Sequence, residues 1–360
     1  MARAARTRAP SLLPARGNLP GASKIALALL ILGAFFLPAP FVMLSPGTPQ
    51  NILGQAIKIS GTQIYPTSGK LSVTSVMVTD PDSYLTGFDV LYGWIDKSRA
   101  ILPREEVYPE GETSADAARQ GAAEMNSSQI NATAAALSYL GIQSPSKLII
   151  VDVNKESKGY KLILAGDQIL SIDDKSFLKT TELINYLGEK KPNDVVRVKF
   201  LRDGVEIIKD IELSAREDGS AYIGVNIQQQ FDFPFDVKIK LEETGGPSGG
   251  LIFALGVTEK LTAEDLVKNR NIAGTGTITT DGRVGPIGGI AEKLIGAQKA
   301  GVEIFFTPTQ NCEDIKNLDQ FEKAKGGKIM RVVPVATLAQ AVSVLKLPEN
   351  ASFPTCKSFA

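Results

Sequence analysis

The 360-residue chain has no histidine and only two cysteines, Cys312 and Cys356. Without an imidazole, Ser-His-Asp and Cys-His catalysis are excluded, and so is the H-E-x-x-H zinc site. Two thiols cannot complete a zinc site alone, and neither a metal nor an organic cofactor is expected. The two cysteines form either one disulfide, if their domain lies outside a reducing compartment, or two separate buried thiols. There is no excess of charge of either sign, since Lys+Arg and Asp+Glu both number 39. With no basic patch and no aromatic–basic interleaving, the footprint of a nucleic-acid partner is missing. No G-x-x-x-x-G-K-[ST] run occurs in these residues, so they encode no Walker A loop and no ATP-driven work. What the chain does have is 43% apolar residues, enough to bury full cores in two domains with a tail to spare.

The first long apolar run is near the N-terminus. Arg3, Arg6, Arg8, Arg16 and Lys24 come with no acid among residues 1–24, and residues 25–44 are uncharged and nearly all apolar. A helix over 25–44 would rise about 30 Å, one hydrocarbon thickness. The expectation is a transmembrane anchor at 25–44 behind a cytoplasmic basic tail at 1–24, with everything after it extracytoplasmic. The protein would then be a single-pass protein of the cell membrane. A cleaved signal peptide is the rival, but its apolar core is usually about 7–15 residues long. Pro38, Pro40, Phe41 and Met43 also offer no cleavage site. The two prolines are expected to break the helix near its outer end.

Residues 45–140 read as an extracytoplasmic segment that packs with the catalytic domain. Alternating runs such as 71–78 suggest strands, and the Ala-rich stretch 112–140 suggests helix, with Thr113 or Ser114 as N-cap. Residues 143–216 read as a β-rich module: a strand at 148–153, a turn and strand over 165–172, a short helix at 180–187, and a hairpin around Asp203-Gly204. This order, with "LILAGDQILSIDDKSFLKTTELINYLGEKKPNDVVRVKFLRDG", resembles a PDZ domain and places that domain at 141–216. The resemblance implies a peptide groove between a strand edge and the short helix, with a loop of backbone N–H groups capturing a terminal carboxylate. Leu140, Gly141 and Ile142 are the candidates for that loop; the other reading of the same residues is a helix end with Gly141 as its cap. Residues 217–347 mix strands and helices in an α/β pattern, and 348–360 is a short polar tail. The fold class is thus α+β: a transmembrane helix, a β-rich PDZ domain and an α/β domain.

The last domain contains G-P-S-G-G at 246–250, a formal match to G-x-S-x-G that follows a strand-like run and precedes a helix-like one. An α/β-hydrolase elbow needs a histidine, and a phosphate cradle needs a lysine in the loop; neither is present. A buried lysine is the remaining base for Ser248, because burial lowers an amine pKa by several units. Lys293 borders the apolar face set by Ile290, Leu294 and Ala297; its alternative role is that of a solvated helix lysine. The segments "GGPSGGLIFALGV" and "IAGTGTITTDGRVGPIGGIAEKLIGAQKAGVEIFFTP" resemble the proteolytic domain of Lon peptidases. That resemblance implies Ser248 as nucleophile, Lys293 as general base, and Thr275 as the hydroxyl that orients the lysine amine. Backbone groups around Gly246, Pro247 and Gly249 would hold the oxyanion. Two positions depart from the family: Gly245 replaces a frequent Asp, and Gly249 the usual Ala.

From residue 60 to 345 the arrangement resembles the membrane-anchored, PDZ-containing Lon-like proteases of Gram-positive, particularly actinobacterial, bacteria. Members with a cysteine pair in these positions favour the disulfide. The resemblance implies an ATP-independent serine endopeptidase acting on unfolded or loosely structured extracytoplasmic proteins and peptides that its PDZ domain delivers. Homo-oligomerisation is the weaker expectation, since Lon rings assemble through ATPase and protease domains together. The rival readings are a non-cleaving PDZ adaptor and a site-specific regulatory protease of one membrane partner.

Overall fold

Apolar runs too continuous for half-buried strands mark the main sheet. Ile304–Pro308 is buried at every position, as a parallel strand covered on both faces must be. In the computed structural model, which describes residues 20–216, 218–241, 245–315, 329–348 and 351–356, it lies second in a five-stranded sheet. The order is Arg331–Val335, Ile304–Pro308, Asn271–Gly274, Lys70–Val73, Gln50–Asn51. The first four strands run parallel, and the last is an antiparallel edge. Successive residues Phe305 and Phe306 point to opposite faces and enter separate cores. On one side helix Gly250–Leu261, apolar all round and buried over its first ten residues, packs with helix Leu338–Lys346. On the other, helix Ile290–Lys299 lays Ile290, Leu294 and Ala297 against Ala273 and Phe305.

Residues far upstream complete this domain. Lys70–Val73 is an interior strand of the sheet, and Ile57–Ser60 pairs with Asp236–Ile239. Helix Ser114–Tyr139, with Ala132, Ala135 and Ala136 in the same core, is part of it too. The catalytic unit is therefore not confined to 217–347.

The β-rich module is a five-stranded antiparallel sheet in the order Val205–Glu212, Val195–Arg202, Gln168–Ile172, Ser146–Val153, Val225–Phe231. The hairpin turns at Asp203 and Gly204, with φ of 50° and 81°, as a two-residue I′ loop requires. Asp167, its carboxylate buried, accepts from Leu164 N–H at 2.8 Å and from Nε and Nη2 of Arg202, each at 2.7 Å. This bidentate pair fixes the strand that begins there. Helix Thr180–Gly188 closes the core through Leu183 and Leu187. One boundary is corrected: the expected domain end at 216 cuts off Val225–Phe231, which pairs with Ser146–Val153 over its whole length.

Among the described residues, a second compact unit comprises 20–45 and 77–114. Of the expected basic tail, Arg3, Arg6, Arg8 and Arg16 lie outside the described residues. The apolar run does not form one helix over 25–44. The helix is Gly21–Phe36, and Phe41–Pro46 is a strand paired with Ala100–Pro103. Pro38 and Pro40 cannot continue the helix, and Val42 and Met43 are buried, Met43 with Leu85 and Val90 in a small core. Among the described residues no helix is long and apolar enough to cross a membrane. Helix Gly87–Ile95 begins with a capping box between Thr86 and Asp89.

Cys312 and Cys356 form a disulfide with a sequence separation of 44. It fastens the tail to the core that also holds Val302 and Phe305. Closing a loop of this size removes about 4 kcal/mol of unfolded-state entropy. Cys356→Ser should therefore lower stability by about 2–4 kcal/mol, seen as an earlier urea midpoint, and reductant should shift wild type but not the variant.

Candidate active site

The turn after strand Asn271–Gly274 organises the site. Thr275 N–H donates to Phe306 O at 3.0 Å, which fixes the turn to the sheet. The fully buried Thr275 side chain donates its Oγ1–H to Ser248 O at 3.0 Å and accepts from Lys293 Nζ at 3.2 Å. Gly276 N–H donates to the same Ser248 carbonyl at 2.7 Å, and Leu251 N–H returns a bond to Gly276 O at 3.0 Å. The structure thus brings Ser248, Thr275 and Lys293 together around one hydroxyl.

Lys293 stands one turn into its helix, with N–H donating to Gly289 O at 3.2 Å. Gly289 starts that helix at φ 66°, a left-handed conformation that glycine adopts without strain. The lysine is 4% exposed, not solvated. Burial holds its ammonium down to a pKa of about 8, with the Glu292 carboxylate opposing the shift. The positive end of the helix dipole also disfavours a cation in the first turn. Because the Thr275 proton is committed to Ser248 O, Thr275 can only accept from the amine. A neutral Lys293 therefore does not spend its lone pair on Thr275.

The nucleophile loop is held from its other side by helix Ser114–Tyr139. Gly246 N–H donates to Gly121 O at 3.1 Å, and Ser128 Oγ donates to Pro247 O at 2.9 Å. Gly121 and Ser128 are seven residues apart, two turns along one face. Sequence reasoning missed both; small residues at that spacing in an Ala-rich helix were the available signal. These bonds also correct the expected oxyanion loop. Gly246 N–H is already used, and Pro247 has none. The loop's N–H groups that none of these bonds engages are those of Ser248 and Gly249, at the positive end of helix Gly250–Leu261. The departure at Gly249 has a steric cause: a Cβ there would meet the Phe253 ring at 2.7 Å and Val73 at 2.9 Å.

Leu140, Gly141 and Ile142 do not form a carboxylate loop beside an open strand edge. They close helix Ser114–Tyr139 as a Schellman cap, with Gly141 at φ 72° and Ile142 N–H donating to Leu137 O at 2.9 Å. The strand that follows them is interior. The sheet's edge next to helix Thr180–Gly188 is Val225–Phe231. It starts from Tyr222-Ile223-Gly224-Val225, where Gly224 has φ 82°. The helix approaches both Ala221–Tyr222 and this strand, and its Ile184 is 55% exposed. Open edge, apolar helix residue and glycine turn at the strand's start together are what a strand-adding peptide needs.

Residues 226–346 match the family model of the Lon protease (S16) C-terminal proteolytic domain, and residues 124–213 match that of the PDZ domain. Lon protease 1 of Herpetosiphon aurantiacus is 31% identical over 148 residues, 39% of this chain and 18% of the relative. Lon protease of Chloroflexus aurantiacus is 39% identical over 103 residues, 29% of this chain and 12% of the relative. The chain thus spans less than a fifth of the length of these curated relatives. The PDZ domain of the SdrC-like protein of Listeria monocytogenes shares 27% identity, covering 22% of this chain and 85% of that one with a TM-score of 0.22. The chain carries a Lon-type proteolytic domain, of the serine peptidase class, and a PDZ domain.

The lysine's burial has a consequence for stability. Between pH 8 and about 10.5 the unfolded chain holds a proton on this amine that the folded chain has released, so stability rises with pH there. Below pH 8 the buried ammonium costs about 3 kcal/mol relative to its unfolded state. Lys293→Met should raise the melting temperature at pH 7, and the gain should shrink as pH approaches 10. A gain that does not change with pH would mean an ordinary lysine.

Proposed function

We propose that the chain is an ATP-independent serine endopeptidase with a Ser248–Lys293 dyad. The observation that carries this reading is the Thr275 hydroxyl, which joins a buried lysine to the serine's own carbonyl. Neutral Lys293 takes the proton of Ser248 Oγ as Oγ attacks a peptide carbonyl carbon. The resulting oxyanion accepts from the N–H groups of Ser248 and Gly249. The Lys293 ammonium then protonates the departing amine as the C–N bond breaks, leaving an ester on Ser248. Water, deprotonated by the same lysine, attacks that ester and restores the serine.

Substrates are unfolded or loosely structured proteins, because these residues encode no Walker loop to drive unfolding. The PDZ groove between Val225–Phe231 and helix Thr180–Gly188 delivers them by strand addition. The protein acts outside the cytoplasm at the cell membrane. Its disulfide favours an oxidising compartment. Helix Gly21–Phe36, with Leu29, Leu30 and Ile31 exposed, gives it an apolar surface for lipid.

The purified chain should degrade casein without nucleotide, while Ser248→Ala and Lys293→Ala each lose activity by about 10³-fold or more. Because the base must be neutral, kcat/KM should rise with pH through about 8. Thr275→Val should lower kcat and move that inflection. Equal activity in wild type and both dyad variants would overturn the proposal.

A further inference from the structure

The PDZ groove and the dyad are linked by cavities that share walls. One cavity, of about 260 Å³, begins at the far end of the groove with Lys179, Thr180 and Gln229, and reaches the protease turn at Thr279–Arg283. Thr181, Ile227 and Gln228 line it on the groove side, and Ser127, Ile130 and Asn131 of helix Ser114–Tyr139 supply a further wall. A second cavity, of about 300 Å³, is also lined by Ser127 and Asn131, and ends at Pro247, Thr277 and Ile278 beside the nucleophile. A third, of about 450 Å³, opens beside the first through shared Lys179, Gln229 and Thr280. Resting on the peptidase reading above, we propose that the first two cavities form one passage. A peptide held by its C-terminal carboxylate at Ile223-Gly224-Val225 crosses the Thr279–Arg283 turn in extended form and reaches Ser248.

Direction follows from topology. A carboxylate at the start of the edge strand makes the peptide run antiparallel to Val225–Phe231. Its upstream residues then leave the groove at Gln229 and Thr180, where the first cavity opens. The lining suits backbone more than particular side chains. Thr180, Gln229, Asn131, Ser127 and Thr279 are neutral hydrogen-bonding groups. Of the charges, Arg283 and Asp281 neutralise each other at 3.1 Å, and Lys179 and Glu124 line the first and second cavity respectively. At the far end, strand Thr277–Ile278 has a single partner strand among the described residues, Val284–Gly285. An incoming peptide can therefore add to it.

The passage is also a ruler. From Val225 to Gln229, where the peptide leaves the groove, the edge strand has five residues, about 17 Å at the usual rise of ~3.3 Å per residue, and the crossing of the passage adds at least about two more. A peptide seated in the groove therefore cannot present a bond closer than about seven residues to its carboxylate. Its cuts should fall at a fixed distance beyond that.

The test uses the full chain and quenched fluorescent peptides of one sequence, with free-acid or amidated C-termini and graded spacing between the scissile bond and the end. Long free-acid peptides should be cleaved with at least a tenfold higher kcat/KM than their amides, at a constant distance from the end by mass spectrometry. The acid preference should vanish when the spacing falls below about seven residues. It should also vanish in Thr280→Trp, whose indole fills the opening of the first cavity. Thr280 makes none of the dyad's hydrogen bonds, and the variant's fold is checked by its melting temperature. Cleavage that ignores the carboxylate, or scatters along the peptide, overturns the passage while leaving the peptidase reading in place. A preference that survives in Thr280→Trp overturns it as well. No cleavage of any peptide would remove the peptidase reading and the passage with it.

Discussion

One hydroxyl carries the site. Thr275 takes its rigidity from Phe306 O in the parallel sheet and spends its only proton on the Ser248 carbonyl. It thereby fixes what Lys293 can do: the amine donates to it and, on the proposed reading, keeps a lone pair for Ser248. A serine in its place would lose the methyl group that packs a fully buried position, and a valine would lose both bonds. The chemistry also needs an uncharged amine, and burial provides it at the cost of stability below pH 8. The helix beginning at Gly289 and the sheet bearing Phe306 must stay in register for these distances to hold. That dependence explains why the catalytic side chains sit on buried elements and not on an exposed loop.

The second constraint is helix Ser114–Tyr139. Through Gly121 and Ser128 it clamps the nucleophile loop, and through Ser127 and Asn131 it lines the proposed passage. Its composition follows from both duties. Alanines at 132, 135 and 136 let it lie close on the protease core. The same helix reads in isolation as a weakly amphipathic, Ala-rich run, because its partners are small side chains and carbonyls more than a broad apolar stripe.

The legible features are those coded locally. Helix Gly250–Leu261, helix Thr180–Gly188 and the Asp203-Gly204 hairpin follow from apolar spacing and turn chemistry, and the structure has them where the spacing puts them. The Ser248–Thr275–Lys293 grouping was legible only through ordered motifs, since nothing in the spacing of three residues on three elements says that they meet. Non-local features escaped. Strand Lys70–Val73 enters the sheet between two elements distant in sequence, so a boundary drawn from composition left it out. The apolar run at 25–44 had the length of a membrane span, but two prolines and the pairing of Phe41–Pro46 divide it between helix and strand. The PDZ edge strand comes last in its sheet's chain order, and the residues just upstream of the first strand are a helix cap instead. Gly224 before the alternating run Val225–Phe231 was the sequence signal that pointed to the right end.

The domain order adds a mechanical argument. The PDZ module is not appended to the proteolytic domain but inserted into it. It follows helix Ser114–Tyr139 after the short stretch 140–145, and it returns after Phe231 through the still shorter stretch 232–235 to strand Asp236–Ile239. Both attachment points are ordered elements of the catalytic unit, the first of them the helix that clamps the nucleophile loop. A module held at two ends by short links loses far less entropy in docking than one on a single flexible linker. Ile227, Gln228 and Gln229 of the edge strand all line the first cavity, so the strand itself presents both the groove and its exit. On the proposed reading, a peptide bound there is intramolecular with respect to Ser248. The gain from binding at the groove would then be effective concentration at the proposed dyad.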